Sequence, residues 1–187
     1  MMVPSAEING GRANEQVLRY RLDVVAASAV DVVRSAGGWL FDRVRAGWVV
    51  SVLTDAPDAR PLRILGLRTV DLKSTSLSEF LSPSDGTGRS LAVSAEVFTT
   101  DALVREQVCK AIDHHLTEVA LWGQGRTAGV NRAMTRVQHV LSPAARVFKG
   151  YALAAAGTLC DLVEPTETLL CGPATCLPVD SDLIRLA

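Results

Sequence analysis

The sequence predicts an α/β protein: a single-domain mixed sheet of about four to five strands, covered by helices. Three observations lead there. Residues 91–122 read strand, helix, strand, a βαβ unit that implies two parallel strands joined by a right-handed crossover. Residues 48–54 and 62–71 are compact, β-branched runs separated by the turn chemistry of Asp55 to Pro61. That connection is too short for a helical crossover, so an antiparallel hairpin is expected. Residues 15–46 carry apolar positions at helical spacing.

Taken in order, residues 1–14 are polar and glycine-containing, and read as a flexible N-terminal arm. Across 15–46, Asp31, Arg34, Ser35, Gly38, Asp42 and Arg45 mark a solvated stripe. Leu22, Val25, Ala26, Ala29, Val33, Ala36 and Leu40 mark the opposite one, so one long helix or two abutting helices are expected. Gly37-Gly38 in its interior predicts a break, a kink or a close contact. The hairpin follows, then a Ser-, Thr-, Gly- and Pro-rich stretch over 73–90 anchored by Leu77, Phe80 and Leu81. Residues 91–98 form the next strand, and Thr99, Thr100 and Asp101 are suitable caps for a helix running to about His114.

A strand at 118–122 then runs into Gly123, Gly125 and Gly129, with a helix expected from about Val130 to Val140. Pro143 stops or restarts that helix, and 144–160 is helical again. The domain reading is an arm over 1–14, one α/β domain over 15–160, and an irregular tail over 161–187 that docks, if at all, through Leu169-Leu170 and Leu183–Leu186.

Composition narrows the classes. The 187 residues are 48% hydrophobic and 21% charged, enough apolar material for a globular core. A net charge of −1 gives no overall pull toward nucleic acid or membrane. No apolar run approaches the ~20 residues of a membrane span, and the N-terminus lacks a secretory pattern, so a cytoplasmic location is expected. Four cysteines in a chain of this length do not make a disulfide framework. Cys171 and Cys176 are four residues apart in a proline-broken loop, which fits neither a redox pair nor a zinc half-site, and the state of Cys160, Cys171 and Cys176 stays open. No metal and no cofactor are expected.

The functional expectation centres on the glycine turn. Unpaired N–H groups at a helix start carry positive potential and hold anions. Arg126 and Thr127 add a charge and a hydroxyl. If the two parallel strands are neighbours, Thr99, Thr100 and Asp101 face the same crevice as Gly123, Gly125, Arg126 and Thr127. The spacing matches neither the dinucleotide fingerprint nor a P-loop. The expected function is therefore a non-catalytic binding or regulatory protein, taking a small anionic ligand at that turn or a protein partner. An enzyme acting on a nucleotide or phosphorylated substrate in the same crevice is the alternative, with Asp101 or His114 as acid–base group.

Two further features carry weaker expectations. No acidic residue lies between Glu118 and Asp161, a window holding Arg126, Arg132, Arg136, His139, Arg146 and Lys149. On a helix, Arg132, Arg136 and His139 would share a face. Arg132, Arg136 and Arg146 are thus the candidates for a nucleic-acid contact, which the lack of interleaved aromatics disfavours. These charges can equally meet acidic groups of a partner or of the chain's own tail, Glu164 and Glu167 among them. Finally, the broad apolar face of residues 22–41 suggests homodimerisation through it.

Overall fold

The computed structural model describes residues 20–54, 58–71, 75–81, 89–114, 118–123, 134–158, 162–172 and 183–185. These residues form one mixed sheet with helices on both faces, larger than the four to five strands expected. The chain opens with β1 (Arg21–Val25), α1 (Ala29–Arg45), β2 (Val49–Thr54), α2 (Arg60–Ile64), β3 (Arg68–Asp71) and α3 (Leu77–Phe80). It continues through β4 (Arg89–Ser94), α4 (Ala95–Thr100), α5 (Ala102–His114), β5 (Glu118–Trp122) and β6 (Thr135–Val140). It closes with α6 (Pro143–Ala155), β7 (Thr166–Cys171) and β8 (Leu183–Arg185). Among the described residues the strand order is β3-β2-β1-β4-β5-β7-β6-β8. The first five positions are parallel, and the β5–β7, β7–β6 and β6–β8 pairs are antiparallel.

The βαβ unit is present: β4 and β5 are parallel neighbours, in register from Ser90 opposite Glu118 to Ser94 opposite Trp122. Five other elements differ from expectation, each for a local reason. Residues 21–25 are a strand, not the start of a helix. Buried on both faces in a parallel sheet, β1 takes in Asp23 as well as Leu22, Val24 and Val25, so its burial does not follow its polar and apolar pattern. The expected hairpin is a parallel pair, because the short α2 fits within the turn-rich connection, with Pro61 in its first turn. The strand expected over 91–98 ends at Ser94, whose hydroxyl accepts from Val97 N and starts α4. Residues 135–140 are strand, not helix. The tail beyond 161 supplies β7, which lies inside the sheet between β5 and β6, and β8 on its edge.

Two hydrophobic layers sandwich the sheet. On one face, α1, α2 and α6 cover Leu22, Val24, Val50, Val52, Ala92, Ala120 and Trp122. On the other, α3, α4 and α5 cover Val25, Leu53, Leu91, Val93, Val119 and Leu121. The alternation along β4 and β5 puts the small residues Ala92 and Ala120 toward the α1 side. Most apolar residues of 22–41 lie in this internal core.

α1 starts cleanly. Ser28 accepts from Asp31 N, and acidic Asp31 in the first turn with Arg43 and Arg45 in the last suit the helix dipole. Its glycine pair makes a close contact. Gly37 and Gly38 are both buried, and a Cβ on Gly38 would overlap the Leu141 side chain while meeting Glu167 Oε1 at 3.2 Å. Helix α1 can therefore approach the β6–α6 connection only because position 38 has no side chain. Gly38→Ala is expected to destabilise the fold by about 1–3 kcal/mol through overpacking, despite the better helix propensity of alanine. Urea unfolding measures this, and a midpoint at or above that of the parent chain would show that the contact is slack.

Candidate functional site

The strand order reverses between β1 and β4, since the chain steps outward from β1 to β3 and returns to β4. In open α/β sheets, ligands bind outside the carboxyl ends of the strands near such a reversal. Here that edge carries Ser28 and Asp31 after β1, Ser94 and Glu96 after β4, and Trp122 and Gly123 at the end of β5. Most of these groups have defined work. Ser28 caps α1 and Ser94 caps α4. Trp122 Nε1 donates to Asp31 Oδ2 (3.1 Å), and Ser35 Oγ donates to Asp31 Oδ1 (3.3 Å). Asp31 thereby ties α1 to the end of β5.

Burial pushes the Asp31 carboxyl above the ordinary aspartate value. The Trp122 and Ser35 hydrogen bonds and the Arg34 charge pull it back, and nearby Glu96 adds to the rise.

Beside this edge lies a cavity of about 620 Å³. It exists because β7 runs on past the end of β5. The ladder between the two strands is Ala120–Cys171 and Leu121–Leu170, and in that register Thr166 and Glu167 lie beyond Gly123. Arg34 and Ser35 of α1, Lys149 and Leu153 of α6, and Thr166 to Thr168 of β7 line it. Gly123, Arg136, Thr158 and the segment from Leu162 to Glu164 complete the lining. Gly123 has φ +92°, a conformation that glycine adopts without strain, and it turns the chain out at the mouth.

The inner wall is a buried ion pair. Lys149 Nζ donates to Glu167 Oε1 (2.6 Å) and to the Arg34 carbonyl (2.8 Å). Glu167 also accepts from α1, through Gly38 N on Oε1 (2.8 Å) and Trp39 N on Oε2 (2.7 Å). Both side chains are nearly inaccessible, at 6% and 2% exposure, so this carboxylate is fully invested in structure. A second clasp lies further along α1. His139 Nε2 donates to Asp42 Oδ2 (2.9 Å), and Ser142, the cap of α6, donates to Asp42 Oδ1 (2.6 Å). Arg34 and Arg136 are exposed, and neither guanidinium has an ion-pair partner among the described residues.

The residues expected from sequence are dispersed. Of the glycine turn, Gly123 lines the cavity, while Gly125, Arg126 and Thr127 lie outside the described residues. Thr99 and Thr100 are at the end of α4, not at a strand end, and their hydroxyls donate back to the Ala95 and Glu96 carbonyls. Asp101 caps α5 by accepting from Leu103 N and Val104 N. His114 is the last residue of α5. Arg132 lies outside the described residues. Arg136 and His139 do not share a helix face: on strand β6 they point to opposite sides, Arg136 exposed and His139 buried. Arg146 is on the exposed side of α6. Of the internal pairings open to the basic window, the structure shows Lys149 with Glu167.

Sequence reasoning passed over Asp31, Arg34 and Ser35 as a solvated stripe and Glu167 as part of a tail. The signal for Glu167 was its place in the Thr-Glu-Thr-Leu-Leu-Cys run, which can form a strand. Among the described residues no three His, Cys, Asp or Glu side chains gather closely enough to hold a metal ion, and no helix is long and apolar enough to cross a membrane.

Fold and cavity together define an open, largely parallel α/β sheet with a pocket where its antiparallel extension leaves β5. No family model and no curated protein sequence matches the chain. Solved structures do share its fold. One is a deacetylase of teicoplanin biosynthesis in complex with teicoplanin, with TM-score 0.53 and 12% identity, covering 89% of this chain and 98% of that one. Another is the zinc-inhibited form of teicoplanin deacetylase, with TM-score 0.51, 14% identity and the same coverage. At such identities the likeness is one of fold.

The raised Asp31 predicts a pH effect. The folded chain holds this proton more tightly than the unfolded chain does. Stability from the group is present at low pH and is lost as pH rises through the folded-state value. Asp31→Asn keeps an acceptor for Trp122 and removes the ionisation. Relative to the parent, the variant should gain stability on going from about pH 4 to about pH 7. Urea midpoints across that range check this, and parallel curves for the two proteins would contradict it.

Proposed function

We propose that this chain is a non-catalytic binding or regulatory protein, and that its ligand is a small anion held in the cavity at the end of β5. The observation that carries this reading is the pair Arg34 and Arg136. Two guanidiniums without an ion-pair partner among the described residues line one concave site, with hydroxyls of Ser35, Thr158, Thr166 and Thr168. Guanidinium groups offer forked donors suited to carboxylate and phosphate oxygens. The volume lies within the range that holds small organic ligands.

The non-catalytic part rests on how the polar groups at this edge are used. Ser28 and Ser94 cap helices, and Glu167 is bound by Lys149 and two amides. Asp31 is engaged by Trp122 and Ser35. Among the described lining residues no serine or threonine stands beside a histidine, and the carboxylate beside Ser35, Asp31, is itself held by Trp122. The likeness to teicoplanin deacetylases supports the scaffold alone.

Thermal unfolding against a panel of carboxylates, phosphates and nucleotides tests the reading. A ligand at a hundredfold excess over its Kd should add about 2.7 kcal/mol of stability. That gain should vanish in Arg34→Ala and in Arg136→Ala. Acetate release from N-acetylated amines, with and without added zinc, should stay at the blank. Stabilisation that survives both arginine changes would move the ligand elsewhere, and catalytic acetate release would overturn the non-catalytic reading.

A further inference from the structure

We infer that the ligand is an amphipathic carboxylate, a single negative charge on an aliphatic body; this rests on the anion reading of the cavity given above. The lining divides by chemistry. Arg34, Arg136 and Lys149 make a basic part, and Leu153, Leu162 and Val163 an apolar part. Among the described residues Lys149 spends two of its three ammonium protons, on Glu167 Oε1 and on the Arg34 carbonyl, which leaves a third to offer a ligand oxygen.

Charge and shape narrow the class. Among the described residues the lining holds three cations and two carboxylates, Glu164 and Glu167, an excess of one positive charge. That balances a monoanion and leaves a di- or triphosphate uncompensated. Among the described lining residues no side chain is aromatic, so none of them offers a nucleobase a stacking surface. The apolar part instead favours methylene groups. Leu162, 71% exposed, stands at the lip, where a ligand's tail would remove it from water.

The test is calorimetric titration of the full chain with acetate, hexanoate, decanoate and inorganic phosphate, all below micellar concentrations. Affinity should climb along the carboxylate series, by up to about fourfold per buried methylene. Phosphate should bind more weakly than decanoate. Arg34→Gln combined with Arg136→Gln should cost at least about tenfold in decanoate affinity, the scale of a lost charged hydrogen bond. Leu162→Ser should weaken decanoate and leave acetate unchanged. All three positions are exposed or at the rim, so these variants are expected to fold, which circular dichroism checks. A flat carboxylate series with measurable phosphate binding would overturn the amphipathic ligand while leaving the anion site standing. Binding by none of the four would sink both. Decanoate affinity indifferent to the arginine changes would mean adsorption to apolar surface, such as the exposed Val147, Phe148 and Tyr151 of α6, and would overturn the inference as well.

Discussion

Glu167 joins three parts of the chain that lie far apart in sequence. Its carboxylate accepts from Lys149 of α6 and from the amides of Gly38 and Trp39 in the middle of α1, while it rides on β7 itself. The Arg34 carbonyl, the acceptor that the helical ladder offers to Gly38, receives Lys149 Nζ. A carboxylate and an ammonium are therefore set against the backbone of a buried helix. Desolvating such a pair is expensive, and its net contribution to stability is small when all partners are present. Removing one partner is a different matter, costing about 3–5 kcal/mol because a buried charge is left uncompensated. The pair thus acts mainly to fix the register of α1, α6 and β7 relative to one another.

The cavity follows from that register. Held against α1, β7 extends beyond β5 and leaves a gap bounded by α1, α6 and the residues from Leu162 to Glu164. Gly38 is required for the same reason, since only a missing side chain lets α1 come up against Leu141 and Glu167. The Asp42 clasp on His139 and Ser142 repeats the theme one turn later in α1. Polar side chains of one helix or strand fasten the antiparallel extension to the parallel sheet, while hydrophobic burial supplies most of the driving force.

Part of this was legible in the sequence. The βαβ unit at β4–α5–β5 was, because a helical period sits between two short apolar runs. So was a close contact at Gly37-Gly38, and so was a turn at Gly123, where φ is +92°. β1 was not, since it buries Asp23 along with Leu22, Val24 and Val25, and Leu22 and Val25 fall by chance into the stripe of the helix that follows. β6 misled in another way. Arg132, Arg136 and His139 have helical spacing, but the true period is two, with Val137 and His139 inward and Arg136 and Val140 outward. β7 read as tail because its inward side carries a glutamate, and a buried charge looks like a surface residue until its partner, 18 positions away, is known. The site inherited these errors. Arg34 and Arg136 could not be brought together without a strand at 135–140, and Thr99 to Asp101 were moved off the strand end by α4.

Amide hydrogen exchange at Gly38 and Trp39 tests the clamp most directly. In the parent chain both amides should exchange only on global unfolding, as the best-protected core amides do. In Glu167→Gln these two should lose protection selectively, while Val32 and Val33 earlier in α1 keep theirs relative to the new global stability. Equal protection at Gly38 and Trp39 in the two proteins, after correction for global stability, would contradict the claim that Glu167 holds the helix.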